Sequence, residues 1–162
     1  NHTSARSRKK ALLETVVSDV TQGRALVFPK RSWEKIPGLQ VSPVGVIQEP
    51  TKVRIICDLS YQQGSWGPSV NDQTELEDAP PVHCGTVIGD VIRRIVGLRK
   101  KLPGARIMIS KMDVKDAFRQ VPVEPQGAAK FGYCVGDLLV IDFRLQFGWR
   151  NSPGWWDLLA SA

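Results

Sequence analysis

Apolar and polar positions alternate along this chain with two periods, and the stretches between them are punctuated by proline and glycine. After a polar, basic and frayed start over residues 1–10, Leu12, Leu13, Val16, Val17 and Val20 recur at helical spacing and predict a short amphipathic helix from about Lys9 to Val20. Pro29, Pro37-Gly38, Pro43 and Pro50 then exclude long helices. Between these breaks, 44–47 and 53–57 are rich in β-branched residues and predict a hairpin closed by a polar turn. Residues 61–85 hold Gly, Pro, Ser, Asn and Asp in quantity and predict an ordered loop. Thr86 is the expected cap of a helix to about Lys100 that places Val87, Val91, Ile95 and Leu98 on one face, and Pro103-Gly104 ends it. The alternation in 106–114 predicts a strand, followed by a short turn over 115–120. Residues 131–135 and 138–143 flank Gly136-Asp137, a strong hairpin signal, and Phe147-Gly148 predicts a further turn. A last helix is expected from Ser152, with Pro153 in its first turn. Helices mixed with antiparallel hairpins, and no repeats, give an α+β fold.

Composition narrows the class. The chain has 162 residues, 42% apolar and 23% charged, enough to bury a core. Lys and Arg number 22 against 16 Asp and Glu, a net charge of +6 that suits a polyanionic partner, although a solvated basic surface gives the same count. Cys57, Cys84 and Cys134 are odd in number and lack C-x-x-C spacing, which excludes a disulfide framework and a zinc finger; His83-Cys84 is expected to be two loop residues. No apolar run reaches the roughly 20 residues that span a bilayer, and the basic start runs into an amphipathic segment rather than a signal peptide, so an intracellular chain is expected. Position 1 is Asn, and the closing Gly154–Ala162 stretch has no helix terminator, from which a piece of a longer reading frame is expected.

Two features carry chemistry. Asp113-Val114-Lys115-Asp116 lies where the expected strand ends, so a carboxylate there can reach into a cleft and hold a divalent ion. The same residues also suit a solvated turn or a helix N-cap. Lys52 and Arg54 alternate along a strand and fall on one face, where they can grip phosphates or simply face solvent.

Order and spacing then add to these readings. Lys52-Val53-Arg54-Ile55-Ile56-Cys57-Asp58-Leu59-Ser60, followed by Ser69-Val70-Asn71-Asp72, resembles the fingers segment of reverse transcriptases. Ile109–Val123, containing Asp113-Val114-Lys115-Asp116-Ala117-Phe118, is similar to their first palm motif. Leu145-Gln146-Phe147-Gly148-Trp149-Arg150-Asn151-Ser152-Pro153 is similar to the next, with Gln146 where most members have proline. The wording is nearer to retrotransposon than to retroviral enzymes.

The resemblance implies a right-hand polymerase fragment: an antiparallel sheet with helices on one face, a basic segment and helix over 1–40, fingers over 41–105 and a partial palm over 106–162. It implies an RNA-directed DNA polymerase that adds deoxynucleotides to a primer 3′-hydroxyl on an RNA or DNA template. Asp113 would be the catalytic aspartate, and with the Val114 carbonyl it would ligate Mg²⁺ or Mn²⁺. Lys52 and Arg54, the backbone N–H groups of Asp116 and Ala117, the steric gate Phe118, and Phe147 with Gly148 would form the nucleotide site. Arg93, Arg94 and Arg150 would face template and primer. Asp58 is expected to be a structural loop residue, and Trp149, Trp155 and Trp156 are expected to pack. The family's aromatic-x-Asp-Asp motif is absent, so the chain alone is expected to be inactive, with an unpaired sheet edge. The rival readings are a non-catalytic nucleic-acid-binding remnant of a retroelement and an unrelated α+β binding module.

Overall fold

The computed structural model describes residues 1–50, 52–62, 67–82 and 86–161; His83 and Cys84 lie outside the described residues. A short helix α1, Thr3–Ser7, leads into α2, Lys9–Thr21. The strand β1, Ala25–Pro29, follows, then the hairpin of β2, Val44–Gln48, and β3, Val53–Cys57. Helix α3, Val87–Lys101, precedes the single turns α4, Ala117–Gln120, and α5, Pro125–Ala128. The hairpin of β4, Gly132–Val135, and β5, Leu138–Asp142, and the helix α6, Ser152–Ala160, complete the described elements.

The described strands form two antiparallel sheets, β1-β5-β4 and β2-β3. Leu26 lies opposite Ile141 and Tyr133 opposite Val140, which makes β5 the central strand. Four of its five residues are buried, as two covered faces require. Gly136, at φ 60°, turns the β4–β5 hairpin where a side chain would be strained. In the other sheet, alternation sends Val44 and Val46 inward and Gly45 and Ile47 outward. The core lies between the two sheets and under α1 and α2, built from Leu12, Val16, Val44, Val46, Leu59, Phe131, Tyr133 and Val140.

Several expectations are corrected. Residues 1–10 are not frayed, because α1 and its flank close the outer edge of β2. His2 donates its backbone N–H to Val44, and Val46 donates to the Ser4 hydroxyl. The buried stripe of α2 is Leu12, Val16 and Asp19 rather than the apolar set that includes Val17 and Val20, both of which are exposed. Strand β1 has no counterpart in the hydropathy reading; its pairing with β5 makes it a strand. Thr86 stands at the start of α3 but makes no side-chain cap hydrogen bond, and no residue of α3 is buried. Trp155 is 36% exposed, so about a third of it reaches the surface.

The largest departure is the segment 106–114, which forms no strand. Met108, Ile109 and Val114 are exposed, and Met112 is 93% exposed. β-propensity does not hold a strand by itself; a ladder partner and a covered face are needed. Among the described residues this segment finds neither. No helix among them is long and apolar enough to cross a membrane.

The central position of Leu12, 1% exposed, gives a direct test of the packing. Leu12→Ala is expected to cost about 3 kcal/mol in urea unfolding, whereas Val17→Ala, on the exposed side of the same helix, is expected to cost less than about 0.5 kcal/mol.

Candidate functional site

A cleft of about 640 Å³ opens between α2, the β2–β3 hairpin and the 115–120 turn. Its floor is a buried ionic group. The Arg119 guanidinium lies between two carboxylates, bonded through Nη1 to Asp142 Oδ2, with Nη2 at 2.9 Å from Asp19 Oδ2. The second approach is at ion-pair distance, but its angle falls short of a hydrogen bond. Three elements meet here: Asp19 comes from α2, Arg119 from α4 and Asp142 from the end of β5. Asp142 also accepts the Arg144 backbone N–H at 2.9 Å.

One guanidinium divided between two buried carboxylates does not satisfy both. Burial, with the neighbouring Asp19 charge adding to it, holds the Asp142 carboxyl above the ordinary carboxylate range despite Arg119. Burial works against the charge of Arg119, but Asp142 and Asp19 outweigh it and raise the guanidinium pKa. Burial likewise pushes the Cys57 thiol and the Tyr133 hydroxyl far up, so both line the cleft as neutral groups.

Above this floor the ionic chain continues to the rim. Arg24 Nη1 lies 3.9 Å from Asp19 and 3.5 Å from Asp116, and Lys52 Nζ lies 3.2 Å from the other Asp116 oxygen. Burial opposes the Asp116 charge, yet Lys52 and Arg24 together hold its carboxyl below the ordinary range. Asp116 has φ 55° and ψ 41°, a left-handed conformation that Asp tolerates better than most residues, and it starts α4. Phe118, two residues on, sets its ring 5.0 Å from that of Phe147. Arg54 reaches Glu49 through Nη1 at 3.3 Å and Nη2 at 3.4 Å, and its Nε is buried without a partner.

The loop carrying Phe147 and Gly148 is fastened to the neighbouring chain. Cys57 N–H donates to the Phe147 carbonyl at 3.2 Å, and Asn71 donates to Gly148 O at 2.8 Å while accepting the Arg150 N–H at 3.0 Å. Gly148 has φ 114°, and a Cβ there would overlap the Cys57 carbonyl oxygen, so no other residue fits. Trp149 packs edge-on against Phe131, with Nε1 donating to Thr74.

Lys52, Arg54, Asp116 and Phe147 therefore line one cleft, and Ala117, Phe118 and Gly148 adjoin it in the chain. Asp113 and Val114 do not line it; both are exposed in the irregular segment before α4. Arg93 and Arg94 project from α3, Arg93 bonded to Asp90, and Arg150 is exposed at the end of the fastened loop. Asp58 pairs with His2 at 3.0 Å, a structural contact. Sequence reasoning missed Asp19, Arg24, Arg119, Asp142 and Asn71. Asp19 had a visible signal, a carboxylate in line with Leu12 and Val16 on a helix face.

Two oxygen donors in sequence, Asp113 and Val114, do not make a divalent-ion site. Among the described residues no group of three or more His, Cys, Asp or Glu is arranged to hold a metal. The residues present therefore do not by themselves fit the ion that the resemblance implies.

Comparison with solved structures classifies the fold. A foamy viral protease–reverse transcriptase, solved in complex with double-stranded DNA, matches 98% of this chain with a TM-score of 0.62 at 16% sequence identity. The fold is reverse-transcriptase-like. This chain spans 23% of that viral chain. No protein-family model and no curated protein matches the sequence. In this reverse-transcriptase-like fold the ionic floor is a load shared by α2, α4 and β5.

Arg119→Met would leave the buried Asp142 without its cation and Asp19 with Arg24 alone. It is expected to cost about 3–5 kcal/mol near pH 8. Because the folded-state pKa of Asp142 stands above its ordinary value, folding takes up a proton there. That contribution is full below the ordinary carboxylate pKa and is lost as pH rises through the raised value. The deficit of Arg119→Met is therefore expected to shrink as pH falls toward 5, which urea unfolding of both proteins at the two pH values would measure.

Proposed function

We propose that this chain is the fingers and the front of the palm of an RNA-directed DNA polymerase of a retroelement, with the fingers over 41–105 and the partial palm over 106–162. The observation that carries the reading is the convergence of Lys52, Arg54, Asp116 and Phe147 on one cleft, beside the Phe118 ring, in a reverse-transcriptase-like fold. Lys52, just before β3, and Arg54, within it, both line the cleft and suit the oxygens of a triphosphate. The backbone at Asp116 and Ala117 starts a turn whose first N–H groups suit the same oxygens. In this reading the Phe118 ring, backed by Phe147, excludes a ribose 2′-hydroxyl and so selects deoxynucleotides.

In this reading Asp113 is the catalytic carboxylate and, with the Val114 carbonyl, supplies two of the oxygen ligands of Mg²⁺ or Mn²⁺. The remaining ligands are not among the described residues, and the chain alone is proposed to be inactive in nucleotide addition. Arg93, Arg94 and Arg150 are proposed to hold template and primer through phosphates.

A second reading, a nucleic-acid-binding remnant without chemistry, is favoured by one observation: Asp113 is exposed, and among the described residues no group of three or more His, Cys, Asp or Glu could hold a metal. One measurement separates the readings. Tryptophan fluorescence titration with a deoxynucleoside triphosphate and the matching ribonucleotide, with and without Mg²⁺, is expected to show deoxynucleotide preference. Phe118→Ala is expected to reduce that preference by about tenfold. Equal binding of both nucleotides, or none, would leave only the remnant. For the nucleic-acid surface, Arg93→Ala with Arg94→Ala is expected to lower the slope of log K against log salt by about 2 for a primer–template duplex. An unchanged slope would remove these arginines from the interface.

A further inference from the structure

Lys52 is not free to receive a ligand. Its ammonium lies 3.2 Å from Asp116 Oδ1, and Arg24 lies 3.5 Å from Asp116 Oδ2, so one carboxylate at the cleft rim engages two cations. The two cations differ in what holds them. Arg24 is also paired with Asp19, and its side chain is only 13% exposed. Lys52 is 39% exposed and has Asp116 as its ion-pair partner, so it is the one that can swing away. Asp116 itself is fixed, because it sits in a left-handed turn at the start of α4, and that helix is anchored through Arg119.

We propose that Asp116 is an ion-pair latch on the cleft: its carboxylate occupies Lys52 until a polyphosphate of higher charge displaces it. This rests on the reading of Lys52 and Arg54 as a triphosphate site. The latch has a physical consequence that a simple phosphate site lacks. A dense anion must both break the Lys52–Asp116 pair and tolerate the nearby negative carboxylate, so weakly charged anions gain nothing by entering. Asp116 therefore sets which anions the cleft accepts, besides placing backbone N–H groups. Arg24 is the positioning residue that keeps the latch carboxylate at the rim.

The test is calorimetric titration of the full 162-residue chain with inorganic tripolyphosphate. Asp116→Asn keeps the left-handed turn, which Asn adopts readily, and removes the charge. It is expected to bind tripolyphosphate about tenfold more tightly than the unmodified chain, and Asp116→Gly, which also accepts positive φ, is expected to show the same gain. Adding Lys52→Ala to either variant is expected to abolish the gain. If the unmodified chain binds and Lys52→Ala weakens it, but Asp116→Asn binds equally or less tightly, the latch is overturned while the triphosphate reading stands. A gain that survives Lys52→Ala also overturns the latch, since the released cation would not be Lys52. If neither the unmodified chain nor any Asp116 variant binds, both the latch and the triphosphate reading fall.

Discussion

Arg119 holds this structure together at the point where its parts meet. Its guanidinium joins a carboxylate on α2 to a carboxylate at the end of the central strand, while the residue itself belongs to the single turn that carries Phe118. A helix of four residues has almost no intrinsic stability, because nucleation alone consumes what one hydrogen bond returns. Its placement must come from outside, and the buried ion pairs supply it. Such pairs are poor sources of net stability, since desolvation offsets much of the attraction. What they give here is geometry: two carboxylates fix the direction of one planar fork, and with it the position of the turn that lines the cleft.

The opposite wall is held by neutral contacts. Gly148 lies so close to the Cys57 carbonyl that its loop and the end of β3 form one unit, and Asn71 spends both ends of its amide on that loop. The cleft is thus bounded by an ionic anchor on one side and a backbone seam on the other. Lys52 and Arg54, on the β2–β3 hairpin between them, are partly exposed and paired with carboxylates at or near the rim. The mobile charge therefore sits on a rigid frame, the arrangement expected where ligand contacts must rearrange without moving the walls.

The elements that local pattern can specify were legible. Helix α2, the β2–β3 and β4–β5 hairpins, α3 and α6 follow from periodicity, from Gly136-Asp137 and from Pro153. What failed depends on partners. Strand β1 exists because β5 pairs with it, and 106–114 has strand-like alternation but no ladder among the described residues. The site was legible to the same extent. Lys52, Arg54, Asp116 and Phe147 could be named from motif spacing, and they share the cleft. Asp19, Arg24, Arg119 and Asp142 could not, because their meaning lies chiefly in contacts between residues 23 to 100 positions apart that no local window contains.

Charge distribution links these points to partner choice. The cleft is lined by the cations Arg24, Lys52, Arg54, Lys115 and Arg119 and by the anions Glu14, Asp19, Asp116 and Asp142, so it is close to neutral. The chain's net +6 must reside elsewhere. Helix α3 carries Arg93, Arg94, Arg99, Lys100 and Lys101 against Asp90, all exposed, and is a strongly basic surface of the fold. Long-range attraction of a polyanion falls to this outer surface, because a neutral cleft exerts little field beyond a Debye length. Selection inside the cleft must come from exchanging one ion pair for another, which depends on geometry and charge density rather than on net charge. A nucleic-acid backbone and a small polyphosphate would thus meet different physics on the same molecule: diffuse attraction along α3, and exchange of ion pairs at Asp116.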